Sequence, residues 1–137
     1  MKKLVYVSAI LTLLSLAYYF AIALPKKHNL EAQEKCAVAA KKFIDDHYSI
    51  LVPRQHLTYE SHYNSKLNKC FILVTDSIYL DDGVRTQVTR TTLTDVLSGR
   101  DYGGSTETTG EKPIYTTDKG FCSMVDWWKY KKKLMDE

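Results

Sequence analysis

Residues 56–74, HLTYESHYNSKLNKCFILV, hold two of the four histidines and one of the three cysteines of the chain. A cysteine beside a histidine is a common nucleophilic pair in enzymes, because the histidine takes the thiol proton. The same stretch alternates apolar and polar residues on both sides of a group of turn formers, which is typical of a β-hairpin. Whether His62 can reach Cys70 therefore depends on how the two strands pair.

Two pairing registers place these side chains differently. A five-residue loop puts His62 directly opposite Cys70, on one face with Glu60, and would form a nucleophile arrangement. A two-residue turn puts Ser61 opposite Cys70 and places His62 beside Lys69 on a polar face. The second register gathers the apolar residues on one face, and two-residue turns are the commonest hairpin links. We therefore predict the second register, with Cys70 in the core.

No other spacing in the sequence indicates catalysis or metal binding. The chain has no C-x-x-C, no H-x-x-x-H, no phosphate-binding loop and no dinucleotide-binding motif. We predict no catalytic residue, no cofactor and no metal site. The alternative is a thiol-dependent or hydrolytic enzyme that uses Cys70 or Cys122 with His47 or His62.

The three cysteines are Cys36, Cys70 and Cys122, so one thiol is left over if a disulfide forms. Three single pairings are possible. We favour Cys36 with Cys70, because both fall on the apolar face of their element and a helix laid over the strand would bring them together. Cys122 would then be free or bonded to another molecule.

The N-terminal segment differs in kind from the rest of the chain. Two lysines precede a run of 21 uncharged residues from Leu4 to Leu24, and residues 21–23 form an A-x-A motif. Residues 1–23 are therefore a cleaved signal peptide or a retained membrane anchor, the latter attaching the protein through the whole uncharged run. Both interpretations export residues 24–137 as a single domain, periplasmic or secreted.

The net charge of the exported part is close to zero. The whole chain has 19 Lys+Arg against 16 Asp+Glu, a net of +3. Without Lys2 and Lys3 the balance is 17 against 16, a net of +1. A basic surface stripe is what nucleic-acid binding requires, so we predict no nucleic-acid partner.

The exported part has the pattern of a helix, several strands and a second helix. Asn29 is expected to cap a helix from about Leu30 to His47, which Pro53 would end. A turn at residues 81–83 and other short links join strands rich in Tyr, Thr, Val and Ile, predicted at residues 57–63, 69–80, 84–96 and 100–106.

The remaining segments are a polar loop and the last helix. Residues 103–120 are rich in Gly and Thr without periodicity, and we expect an exposed loop there. Ser123 and Asp126 form a capping-box-like pair before the C-terminal helix. Trp127 and Trp128 are adjacent, so only one of them is expected to be central to the core.

The motifs HYNSKLNKCF, LTDVLSGRDYG and CSMVDWW resemble those of small exported bacterial proteins of unknown function, in which a Cys-bearing helix precedes such a hairpin. Those relatives carry another cysteine shortly before the last one, and residues 113–117 of this chain contain none. The resemblance leaves Cys122 without a partner. It implies no activity, and no residue receives a role from it.

Taken together, the sequence predicts an α+β fold, with an N-terminal helix packed on a four-stranded antiparallel meander and a C-terminal helix. That outline resembles cystatin-like scaffolds, although a fold does not define a function. We expect a small non-enzymatic exported protein that binds another protein or a small-molecule ligand. Besides the enzyme, the alternative is a membrane-tethered subunit of a larger assembly.

Overall fold

The computed structural model describes residues 2–48, 55–80 and 86–135 and divides the chain into two compact units, Met1–Ala32 and Gln33–Glu137. The helices are α1 (Lys2–Tyr18), a π-helical segment (Tyr19–Ala23), α2 (Leu24–His47) and α3 (Met124–Met135). The strands are β1 (Gln55–Asn64), β2 (Lys69–Tyr79), β3 (Gln87–Asp95), β4 (Arg100–Thr108), β5 (Ile114–Thr117) and β6 (Gly120–Cys122). Pro53 and the turn at 81–83 lie outside the described residues.

The N-terminal unit is helical and exposes its apolar side chains. The large apolar residues from Ile10 to Leu24 are 42–66% exposed. Among the described residues, the helix Ile10–His47 is long and apolar enough to cross a membrane, a test that signal sequences also pass. The predicted cap at Asn29 is wrong, because α2 already begins at Leu24 and runs through that position.

The six strands form one antiparallel sheet in chain order, so the predicted strand count of four is too low. The error lies in residues 103–120, which contain the end of β4, all of β5 and the first residue of β6, joined by short turns. Gly103 and Gly104 are required by close packing: an added Cβ would lie 2.2 Å from the Thr116 carbonyl oxygen and 2.0 Å from that of Thr91, respectively. Glycine here indicates tight strand approach, not an exposed connection.

Helices cover parts of both faces of the sheet. On one face α2 packs on β1 and β2, in a cluster built from Ala40, Ile72, Val74, Phe43, Ile44, Tyr48, Leu57 and Val96. On the other face α3 packs on β2 and β3, in a cluster built from Phe71, Leu73, Leu93, Trp127, Leu134 and Met135. The side chains of residues 70–74 in β2 are therefore buried without alternation. The face predicted to be polar in the hairpin is the one that α3 covers.

The outer edge of β1 is partly closed by a side chain of α2. The Gln33 side chain accepts a hydrogen bond from the Tyr63 backbone N–H at 2.8 Å and donates one to the Ser61 carbonyl at 3.4 Å. It thus takes the place of a neighbouring strand, which protects an edge that would otherwise invite pairing with another chain.

The C-terminal helix begins where the sequence predicts. The Asp126 backbone N–H donates to Ser123 Oγ at 3.2 Å, and that hydroxyl donates to the Asp126 carboxylate at 2.7 Å. Trp127 is 3% exposed and Trp128 is 54% exposed, so only Trp127 belongs to the core.

Candidate functional site

The hairpin follows neither of the two registers considered from the sequence. Tyr63 lies opposite Cys70, and His62 lies opposite Phe71 instead of beside Lys69. The observed register differs by two residues from the predicted one and therefore keeps every side chain on its predicted face. The conclusion that His62 does not face Cys70 holds, whereas the predicted pairs are wrong.

Two asparagines explain the longer connection. Residues 65–68 form a four-residue turn, and Asn68 has a φ of 52°, a left-handed conformation that asparagine tolerates. The Asn64 side chain accepts the Leu67 N–H at 2.9 Å and donates to the Leu134 carbonyl at 3.1 Å. The turn is thereby tied to the end of α3, a contact that a two-residue turn would not supply.

Cys36 and Cys70 form a disulfide, with 5.4 Å between their Cα atoms. Cys36 is 3% exposed and Cys70 is 2% exposed. The bond links α2 to the central strand β2 as predicted. Its sulfur atoms are held in a covalent bond inside the core, so Cys70 is not available as a nucleophile.

Cys122 does not form a catalytic pair with His62. The thiol lies on β6 and His62 lies on β1, at opposite edges of the sheet. Five strand spacings of about 4.8 Å separate these edges by roughly 24 Å. Burial, and then the Asp126 carboxylate, raise the pKa of the Cys122 thiol, which opposes thiolate formation.

The contacts of the two candidate histidines, His47 and His62, indicate structural roles. His47 at the end of α2 places Nδ1 3.0 Å from the Phe43 carbonyl and stacks on the Phe43 ring, with centroids 4.2 Å apart. His62 Nε2 is buried and has no hydrogen-bond partner in the described part of the chain. Neither ring is positioned to take a proton from a cysteine.

The thiols give a direct test of this arrangement. In denaturant without reductant, one thiol should react with a maleimide, and after reduction three should react, because only Cys122 is free. In the native protein the labelling of Cys122 should be slow at neutral pH. Intact mass spectrometry counts the labels, and two or more thiols in the unreduced protein would contradict the disulfide.

A partly buried ionic network lies at one end of the sheet. The Asp95 carboxylate accepts hydrogen bonds from Lys69 Nζ at 3.1 Å, Ser98 Oγ at 2.7 Å and the Leu97 N–H at 3.2 Å. Lys69 also donates to the Tyr102 hydroxyl. The Asp95 carboxylate thus closes the β3–β4 turn, and Lys69 links β2 to β4. The role of these hydrogen bonds is structural.

The Asp95 carboxylate should make the fold sensitive to acid. Burial by itself would raise its pKa, but the hydrogen bonds from Ser98, Lys69 and Leu97 outweigh burial and lower it. Its stabilising effect is therefore present above the unfolded-state pKa and is lost as the pH falls through the lowered folded-state pKa. Asp95→Asn should lower the unfolding free energy at pH 7 by about 1–3 kcal/mol, and urea titrations at pH 7 and at pH 2 should show the difference shrinking in acid.

A groove opens over β3, β4 and β5 on the sheet face that carries α2. Strand alternation places Thr92 on the same face as its partner Val74, and Thr92 pairs in turn with Gly104. The cavity volume is about 230 Å³. Its side chains, together the β3–β5 groove, are Arg90, Thr92, Asp101, Thr106, Ile114 and Thr116, over a floor formed by Gly103 and Gly104.

The groove offers charges of both signs and several hydroxyls. Asp101 accepts a hydrogen bond from Thr94 Oγ1 at 2.6 Å, which fixes the carboxylate at one end. Arg90 lies opposite Asp76 on β2 and Thr106 on β4. Such a surface complements a polar ligand that has donors and acceptors close together.

Tyr48 lies at the side of this surface. Its pKa is raised mainly by burial and further by the Asp76 and Asp101 carboxylates, whereas Arg90 lowers it. The phenol therefore stays neutral and can donate a hydrogen bond. The sequence did not single out these residues, although Arg90, Thr92 and Thr94 put three polar side chains in succession on one strand face.

The lining contains neither histidine nor cysteine. In the part of the chain that the structure describes, no group of three or more His, Cys, Asp or Glu side chains could hold a metal ion. The lining instead supplies one guanidinium, one carboxylate and several hydroxyls as hydrogen-bonding groups. No family model, no curated protein and no solved structure matches the chain.

Proposed function

We propose that this protein is a non-enzymatic exported binding module and that the β3–β5 groove is its ligand site. The observation that carries the proposal is the unequal cover of one sheet face. α2 packs on β1 and β2. On the same face the described residues do not cover β3, β4 and β5, which carry charged and hydroxyl side chains. One half of this sheet face is apolar and covered by α2, whereas the other half is polar and open. The open polar half is suited to binding.

The ligand we propose is polar, with adjacent hydrogen-bond donors and acceptors and little net charge. Arg90 can donate to it and Asp101 can accept from it, at the two ends of the threonine-lined groove. A volume of about 230 Å³ is below the ~300–1,000 Å³ of pockets that enclose a drug-sized molecule. The groove therefore suits a small molecule or one segment of a longer chain.

Export rests on two features. The chain has a disulfide and an apolar N-terminal helix, and both are compatible with a location outside the cytosol. A retained helix would make the module a membrane-tethered subunit. The mass of the mature protein decides between these states, because cleavage after the A-x-A motif gives a chain that begins at Leu24.

The test of the ligand site is a thermal-shift screen of neutral saccharides and short uncharged peptides against the purified mature protein. A true ligand should raise the Tm of the wild type and fail to raise that of Arg90→Gln, because the guanidinium donors are lost. Glu107→Gln is the matched control, since residue 107 lies on the same strand as Thr106 but on the opposite face. A ligand that stabilises Arg90→Gln as well as the wild type would contradict this site.

A further inference from the structure

The outer face of α3 carries apolar side chains that the core does not use. Met124 is 52% exposed, Val125 is 55% exposed and Trp128 is 54% exposed. Trp128 is four residues after Met124 and three after Val125, so both aliphatic side chains neighbour the Trp128 ring on the helix surface. Large apolar side chains grouped on a surface indicate an interaction site.

Lysines flank Trp128 on its C-terminal side. Lys131 Nζ lies 3.9 Å from the centre of the Trp128 ring, a cation–π contact. A surface cavity of about 370 Å³ is lined by Trp128, Lys129, Lys131 and Lys132. The one acidic residue of the helix, Asp126, is hydrogen-bonded to Ser123. We call Met124, Val125, Trp128, Lys129, Lys131 and Lys132 the α3 patch.

We propose that the α3 patch docks on the surface of an anionic lipid bilayer. An exposed tryptophan and aliphatic side chains bordered by lysines form the pattern of an interfacial helix, in which the rings enter the headgroup region and the ammonium groups meet lipid phosphates. The positive charge of the patch is complementary to an anionic membrane surface.

The lipid surface is favoured over an acidic protein by a second part of the chain. The helix Ile10–His47 is apolar and long enough to cross a membrane, which fits a protein that passes through a bilayer during export or stays tethered to one. A tether would raise the effective concentration of the membrane at the patch, and weak docking would then be sufficient. This inference is independent of the ligand proposed for the β3–β5 groove.

The test uses the full chain in vesicles whose phospholipids carry bromine atoms on the upper acyl chain, which quench nearby tryptophan fluorescence. We expect quenching in phosphatidylglycerol vesicles and much less in phosphatidylcholine vesicles. Trp128→Phe should abolish the quenching, because the remaining tryptophan, Trp127, is buried in the core and out of reach of the lipid. Trp127 therefore serves as an internal reference. The readout reports contact between Trp128 and lipid whether or not the N-terminal helix is inserted.

The lysines are tested with a charge-matched control. Lys131→Gln with Lys132→Gln should lower the docking equilibrium constant by about 30-fold, since each lysine near an anionic surface contributes roughly five- to sixfold. Lys35→Gln with Lys112→Gln removes the same charge from exposed positions outside α3 and should leave the quenching unchanged. Equal quenching in the two lipids, or equal quenching in the two double variants, would overturn the proposal. Quenching in Trp128→Phe as strong as in the wild type, or no quenching in the wild type, would overturn it as well.

Discussion

Replacing Cys36 and Cys70 together with alanine should lower the unfolding free energy by about 3–4 kcal/mol. The two cysteines are 34 residues apart in sequence, and their bond restricts the unfolded chain by closing that loop. It also fixes α2 to β2 on the sheet face where that helix packs. Urea unfolding of the oxidised wild type and of the double variant, followed by circular dichroism, measures the loss.

Two further proteins isolate the effect of the bond. The reduced wild type should unfold at nearly the same urea concentration as the double variant, because both lack the covalent link. Cys122→Ala should differ from the wild type by less than about 1 kcal/mol, since that thiol is half-buried and unbonded. A double variant as stable as the oxidised wild type would show that the bond is not what holds α2 in place.

Truncation of Trp127 is expected to have the other large effect. The side chain is 3% exposed and packs in the cluster beneath α3 with Phe71, Leu93 and Leu134. Trp127→Ala leaves a cavity that the strand side chains cannot fill, and we expect a loss of about 3–5 kcal/mol in unfolding free energy. This loss is a large part of the stability of a small domain, so Trp127→Phe provides a milder variant whose unfolding can be followed.

The adjacent tryptophan is the matched control. Trp128 is 54% exposed and contacts Lys131 rather than the core. Trp128→Ala should therefore cost no more than about 1 kcal/mol. If the two alanine variants were equally stable, α3 would not be docked on the sheet through Trp127.

The sequence pattern was sufficient for the faces of the hairpin but not for its register. Alternation assigns Cys70, Ile72 and Val74 to one face, and the structure places them there. The turn length depends on Asn68 adopting a left-handed conformation and on Asn64 bonding to the end of α3. The second of these is a contact between residues about 70 positions apart, which local pattern does not contain.

The strands β5 and β6 were missed because their composition is typical of a loop. In the sequence Gly103 and Gly104 are typical of a turn or loop. In the structure both lie within β4, where neighbouring strands approach too closely for a side chain. The cover of the second sheet face by α3 was also missed. Phe71 and Leu73 alternate with Cys70 and Ile72, so together they form an uninterrupted apolar run. Such a run is typical of a strand that is buried on both sides.

The candidate groove illustrates what a single strand cannot reveal. Arg90, Thr92 and Asp101 come from two strands, and each is unremarkable in its own sequence context. Only the register of β3 with β4 and the limited cover by α2 place them around one cavity. Of the residue types most often examined for chemistry, Cys36 and Cys70 form the core disulfide, whereas His28, His47 and His56 are exposed.

The most direct test of the proposed binding function is an amide-shift titration of the ¹⁵N-labelled mature protein with the small-molecule and the protein fractions of an envelope extract. We expect shifts concentrated at Thr92, Gly104, Thr106 and Thr116 for one of these fractions, and the loss of these shifts in Arg90→Gln. Shifts confined to other surfaces, or no shifts with either fraction, would contradict a ligand site in the β3–β5 groove.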